Sequence, residues 1–187
     1  ESGRYTKKPI EGLEEILQET PLTVRGAGVH GKFIFFLLDN EWSIWNTLGM
    51  TGGWSRNKAK HARVRLVLED GPIFYNDTRN FGTLKFVKGK QAIIDKLNSL
   101  GPDLLAEKCS NENFINSIRR KNKKTIAEAL MDQSIVSGVG NYVKAEALYL
   151  SKISPHRVVE TLTDKALQNL NVATRSVLVN SFESGGA

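Results

Sequence analysis

Near Val87 the apolar residues change their spacing, and no other feature constrains the fold as strongly. Before that point they follow the two-residue repeat of a strand, and after it the 3.6-residue repeat of a helix. Across residues 61–69, Val64, Leu66 and Leu68 fall on one face, with Arg63, Arg65 and Val67 on the other. Phe33 to Leu38 is apolar on both faces, which predicts a strand covered on both sides. Further strands are expected at 41–48, 73–76 and 84–87, divided by turn formers such as Asp39-Asn40 and Asp70-Gly71-Pro72. Short strands at this spacing predict an antiparallel sandwich or barrel.

From Gly89 the periodicity predicts helices. Residues 91–100 carry the stripe Ile94, Leu97, Leu100 and end at Gly101-Pro102. Helices follow at 113–121, at 125–131 with Thr125 as cap, and at 141–151 with Tyr142, Ala145, Leu148 and Tyr149 on one side. Thr163 can cap a last helix with the stripe Leu167, Leu170, Thr174, Val177 and Leu178, closed by Gly185-Gly186. The expectation is an α+β chain. An antiparallel β-sandwich occupies residues 1–88, and a helical domain with a helix–two-turns–helix motif occupies 89–187.

Composition enters through what it excludes. With 40% apolar and 25% charged residues, the chain is neither disordered nor fibrous. No apolar run approaches the roughly 18 residues of a membrane span, and the opening residues carry no signal-peptide pattern. The single cysteine, Cys109, excludes an internal disulfide and a multi-cysteine zinc site within these residues, and suits an intracellular setting. The net charge of +6 is unevenly spread. Residues 61–124 carry 13 Lys/Arg against 7 Asp/Glu, whereas residues 1–60 balance at +1 and residues 125–187 at −1. A one-sided basic region fits either a nucleic-acid binder or a solubilising surface.

Three segments carry chemistry. In Gly138-Val139-Gly140-Asn141 two glycines let the backbone turn tightly between helices, and Asn141 opens the second helix, where free N–H groups favour a phosphate. An ordinary capped interhelical turn would look the same. Met50 sits on a glycine-flanked loop, and Arg79 and Phe81 lie two apart on another. Together a flexible apolar wedge, a guanidinium and a ring could fill the hole left by an extruded nucleotide. Singly, Met50 and Phe81 could be core residues, and Arg79 could pair with Asp77.

The ordered set Gly31-Lys32, Leu48-Gly49-Met50-Thr51-Gly52, Asp77-x-Arg79-x-Phe81-Gly82, Leu100-Gly101-Pro102-Asp103, Met131-Asp132-Gln133, Gly138-Val139-Gly140-Asn141-Tyr142 and Ile153-Ser154-Pro155 resembles the formamidopyrimidine-DNA glycosylase/endonuclease VIII family. The Gly-Met-Thr-Gly loop leans to the first branch and Asn141-Tyr142 to the second, so both stay open. The resemblance implies a base-excision-repair DNA glycosylase with AP lyase activity. It would remove oxidised bases from double-stranded DNA, act at abasic sites, cut by β,δ-elimination and work as a monomer away from membranes.

By the same resemblance, Lys32 is a catalytic lysine near the damaged nucleotide's phosphates. Met50, Arg79 and Phe81 fill the void and contact the orphaned base. His61, Lys123 and Asn141 hold DNA phosphates, with Lys121 and Lys124 as rival placements for Lys123. The family's nucleophile is an N-terminal proline, whereas Glu1-Ser2-Gly3-Arg4 resembles text further into such proteins, and Pro9 is not terminal. The family's finger hairpin is expected after Ala187, so no cofactor is expected in these residues and a zinc finger is expected, if anywhere, beyond them. Other readings are a non-catalytic damaged-DNA-binding homologue, and a general nucleic-acid-binding helical module joined to an unrelated β domain.

Overall fold

The computed structural model describes residues 3–106 and 109–185. The chain forms two compact units that divide between Ile94 and Asp95. This division falls inside a helix, α2 (Lys90–Asn98), rather than at the 88/89 boundary where the apolar period changes.

The first unit opens with a 3-10 turn, Gly3–Thr6, and a short helix, α1 (Leu13–Leu17), and continues as seven strands. These are β1 (Val24–His30), β2 (Phe33–Leu38), β3 (Trp42–Thr47), β4 (Gly52–Ser55), β5 (Ala62–Leu68), β6 (Gly71–Asp77) and β7 (Thr83–Lys88). They build two antiparallel sheets, ordered β1-β2-β3-β7 and β4-β6-β5. The alternation across residues 61–69 sets the register of β5: Val64 is buried, Leu66 packs on the core, and Arg65 and Val67 face outward. Trp42, Ile44, Leu84 and Phe86 from one sheet meet Val64 and Tyr75 from the other in a single core, closed at one side by Tyr5, Ile10 and Ile16. The architecture is an antiparallel sandwich.

Two details differ from the sequence-based expectation. The strand Phe33–Leu38 is not covered on both sides: Phe36 and Leu38 pack on the core, but Leu37 on the opposite face is 38% exposed. That outer face is closed by its own rings, with Phe33 stacked on Phe35 at 5.6 Å and Trp45 edge-on to Phe33 at 5.5 Å. Strands β1 and β4 escaped the reading because Gly26, Gly28, Gly52 and Gly53 interrupt the alternation that marks a strand.

The second unit is helical. After α2 come α3 (Asn111–Arg119), α4 (Ile126–Met131), α5 (Asn141–Leu150) and α6 (Asp164–Glu183). Ser110 and Thr163 cap α3 and α6 through their hydroxyls, and Thr125 with Glu128 forms a capping box at α4. The stripe Leu167, Leu170, Thr174, Val177 and Leu178 is buried as the spacing of α6 predicts. It packs in a core with Phe114, Ile118, Ile126, Leu130 and Val143. Gly185 has a positive φ after the last helix, and Gly186 lies outside the described residues.

The buried faces of two helices differ from expectation. In α5 the core takes Val143, Ala147 and Leu148, while Tyr142 and Tyr149 are 50% and 80% exposed. The phenol ends favour water, and the smaller i, i+4 pair Val143 and Ala147 suits close packing. In α2 the buried residue is Ile93, and Ile94 faces outward. Among the described residues no helix is long and apolar enough to cross a membrane.

Candidate nucleic-acid interface

In the first unit the sandwich brings the two glycine-flanked loops into backbone contact. The loop joining β3 to β4 carries Met50, and the loop joining β6 to β7 carries Arg79 and Phe81. Gly49 has φ +64°, and a Cβ there would come within 2.8 Å of the Gly82 nitrogen. A Cβ on Gly82 would lie 1.8 Å from the Tyr75 hydroxyl. Only residues without side chains allow this approach. Tyr75 itself is fully buried beneath the junction, and burial pushes its phenol up to about 12.

Met50, Arg79 and Phe81 meet at the top of these loops. Met50 is 70% exposed and Phe81 57% exposed, so neither belongs to the core. The Arg79 guanidinium lies 5.0 Å from the Phe81 ring centroid and donates through Nη1 to the Met50 sulfur at 3.5 Å. Arg79 makes no ion pair with Asp77, because Asp77 is already engaged. Its Oδ1 accepts from the Thr51 hydroxyl at 2.7 Å and its Oδ2 from the Gly82 N–H at 2.9 Å. Burial of Asp77 raises its carboxyl pKa, but the Thr51 hydroxyl and the N–H groups of Gly82, Arg79 and Asn80 outweigh this and hold it below the ordinary range. Thr51 also accepts from the Arg79 N–H at 3.0 Å, so one hydroxyl bonds both loops.

Two other candidate residues lie in this unit. Lys32 occupies the β1–β2 turn, where desolvation lowers its ammonium pKa. His61 precedes β5; its carbonyl accepts from the Asp77 N–H at 3.0 Å, and its Nδ1 lies 3.5 Å from Arg63 Nη2.

The remaining two belong to the second unit. Asn141 is the first residue of α5, as its position after Gly140 predicts, and Lys144 Nζ donates to its Oδ1 at 2.9 Å. The turn before it is braced by Gln133. Gln133 Oε1 accepts from the Gly138 N–H at 3.1 Å, while Nε2 donates to the carbonyls of Val139 and Met131. Among the three neighbouring lysines, Lys121 bonds Asp132 at 3.0 Å, and Lys124 pairs with Glu128 on α4. Lys123 pairs with the exposed Glu160 at 3.1 Å, and its side chain is 87% exposed. Hydrogen bonds from Ser134 and then from Lys121 pull the Asp132 carboxyl down to about 2. No group of three or more His, Cys, Asp or Glu among the described residues could hold a metal ion.

Comparison with known proteins matches both units. Residues 4–84 match the formamidopyrimidine-DNA glycosylase N-terminal domain, and residues 100–187 match the formamidopyrimidine-DNA glycosylase H2TH domain. The chain belongs to the formamidopyrimidine-DNA glycosylase family. A Thermus thermophilus protein named formamidopyrimidine-DNA glycosylase is 35% identical over 202 residues, covering 100% of this chain and 75% of that protein. Among solved structures, the MutM (Fpg) protein from Thermus thermophilus has a TM-score of 0.77 at 33% identity, over 89% of this chain and 62% of that one. A Lactococcus lactis formamidopyrimidine-DNA glycosylase, solved non-covalently bound to DNA containing an AP site, has a TM-score of 0.80 at 26% identity, over 95% and 70%. The chain thus spans between roughly three fifths and three quarters of these relatives' lengths.

Family membership through both units excludes a helical module joined to an unrelated β domain. Sequence reasoning missed one residue beneath the loops of this formamidopyrimidine-DNA glycosylase family chain. Arg4 Nη1 donates to the carbonyls of Asn80 and Gly82 at 3.0 and 3.1 Å. No local pattern could reveal a partner 76 positions away. The half-buried Lys144 was missed as well, although its i, i+3 spacing from Asn141 on a helix signals the contact.

Proposed function

We propose that this chain grips duplex DNA and fills the void at the lesion in a base-excision-repair DNA glycosylase with AP lyase activity. The observation that carries this reading is the exposed cluster of Met50, Arg79 and Phe81, assembled over a buried, fully engaged Asp77. Extruding a nucleotide leaves a gap in the stack. A thioether can wedge into it, a ring can stack on the neighbouring base, and a guanidinium can donate to the orphaned base. Because the three side chains already touch, little of their freedom is lost on binding. The family relatives solved with AP-site and Fapy-dG DNA support damaged DNA as the partner.

Lys32 and His61 in the first unit, and Lys123 and Asn141 in the second, approach DNA phosphates. The exposed Lys123 is the most accessible of its lysine cluster, and Asn141 with Lys144 presents an amide and an ammonium at a helix N-terminus. In the strand-cutting steps Lys32, with its lowered pKa, assists beside the lesion's phosphates. An amine attacks C1′ of the damaged nucleoside, the base leaves, and the resulting Schiff base allows β- and then δ-elimination. In this family that amine is an N-terminal proline; here Pro9 holds an amide nitrogen. DNA repair of this kind is an intracellular activity, in keeping with the single cysteine.

Binding of Arg79→Ala and Phe81→Ala to an abasic-site duplex and to its undamaged counterpart tests the reading. The expected result is loss of abasic-site preference with affinity for undamaged duplex largely kept. Equal weakening on both duplexes would overturn it in favour of a general nucleic-acid binder.

A further inference from the structure

The loop carrying Arg79 and Phe81 is held on its backbone from two sides. Asp77 takes its N–H groups, and so gathers the donors of Arg79, Asn80 and Gly82 around one carboxylate. The carbonyls point the other way, and two of them, at Asn80 and Gly82, converge on the single Nη1 of Arg4. Asn80 itself adopts a left-handed φ of 56°, a conformation that a free loop would leave readily.

Arg4 is itself fixed. Its guanidinium lies 5.3 Å from the ring centroid of Tyr5, which is only 4% exposed in the core. The segment behind it is anchored to β7 by the Phe86 N–H donating to the Glu11 carbonyl at 2.9 Å. A long cationic side chain reaching two loop carbonyls from a fixed base serves as a strut, since it offers donors where backbone oxygens would otherwise turn to water.

We propose that Arg4 is a positioning residue for lesion recognition: by bonding the Asn80 and Gly82 carbonyls it sets the height and direction at which Arg79 and Phe81 are presented. This rests on the void-filling reading above. Arg4 acts through the loop and not on DNA, so its removal blunts discrimination without removing a phosphate contact.

The test compares wild type, Arg4→Ala, Arg4→Lys, Arg79→Ala/Phe81→Ala and the triple variant. Each binds a duplex with a tetrahydrofuran abasic analogue and the matching undamaged duplex over a range of salt. Arg4→Ala is expected to lower the abasic-site preference about tenfold, the scale of losing hydrogen bonds from a charged donor. Its salt dependence on undamaged duplex should stay that of wild type. Arg4→Lys, which keeps the charge and can still reach a carbonyl, should recover part of the preference. In the Arg79→Ala/Phe81→Ala background, Arg4→Ala should add no further loss, because the effect runs through those side chains. A salt slope reduced by about 0.9 in Arg4→Ala would instead make Arg4 a phosphate contact and overturn the proposal. Unchanged preference in Arg4→Ala would overturn it too, as would an equal further loss in the triple variant. Should Arg4→Ala not fold, full wild-type preference in Arg4→Gln, whose shorter and uncharged side chain cannot reach the carbonyls as the guanidinium does, would be equally contrary. If Arg79→Ala/Phe81→Ala itself keeps the preference, the void-filling reading fails, and that result is distinct from failure of the strut.

Discussion

The Thr51 hydroxyl donates to the Asp77 carboxylate across 2.7 Å, and that bond ties the loop carrying Met50 to the loop carrying Arg79 and Phe81. The same oxygen accepts the Arg79 N–H, so replacing it separates both contacts at once. Thr51→Val, which keeps the shape and deletes the hydroxyl, leaves a buried carboxylate short of a donor. Stability should fall by about 1.5–3 kcal/mol in chemical denaturation, the range for hydrogen bonds to charged groups. A change within error would mean that the loops are held together elsewhere.

Gly82 is the second requirement of the junction. Its Cβ would stand 1.8 Å from the Tyr75 hydroxyl and 2.7 Å from the Thr47 carbonyl, and the second obstacle is backbone. Gly82→Ala should destabilise by about 1–3 kcal/mol, as overpacking does. Adding Tyr75→Phe should recover only part of that loss, because the clash with Thr47 remains. Full recovery would show that the hydroxyl alone dictates glycine.

In the second unit, Asn141 carries a prediction about binding rather than stability. If its amide and the adjoining helix N-terminus hold one phosphate, Asn141→Ala should weaken binding to damaged and undamaged duplex alike. Because an amide neutralises no phosphate charge, the slope of log K against log salt should stay close to that of wild type. Loss confined to the damaged duplex would place Asn141 in lesion recognition instead.

Asp132 gives a pH prediction. Its folded pKa of about 2 lies below its ordinary value of 3.8, so its ionised form is favoured by folding. That contribution is therefore full above pH 4 and lost as pH falls towards 2. The side chain is a third exposed, so solvent screening reduces the gain to about 1 kcal/mol. Asp132→Asn should lower thermal stability at pH 7 and converge with wild type near pH 2. A constant gap across this range would assign the loss to packing.

How much of this could be read beforehand depends on the range of each interaction. The spacing of Val64, Leu66 and Leu68 gave the correct face of β5, and Thr163 with Leu167 and Leu170 gave α6, because both are local repeats. The clustering of Met50, Arg79 and Phe81 was expected from motif order, and the side chains do touch. Whether Arg79 would pair with Asp77 stayed open, since the answer lies in Thr51 and Gly82 consuming the carboxylate. Arg4 was invisible for the same reason: its partners are two carbonyls, which no side-chain pattern records. Spacing places Tyr142, Ala145, Leu148 and Tyr149 on one side of α5, and of these only Leu148 is buried, since the phenol ends favour water.

On the proposed function, Arg79 and Phe81 occupy the gap opposite an orphaned base. A duplex with 2-aminopurine opposite a tetrahydrofuran abasic analogue reports this directly, because the probe's emission changes as its stacking changes. Binding of the wild-type chain should shift the emission in step with saturation. Phe81→Ala, and more strongly Arg79→Ala/Phe81→Ala, should bind with little or no shift, and Phe81→Ala should lose about 1–3 kcal/mol of abasic-site affinity. Emission shifts of equal size in wild type and the double variant, at matched saturation, would contradict the account.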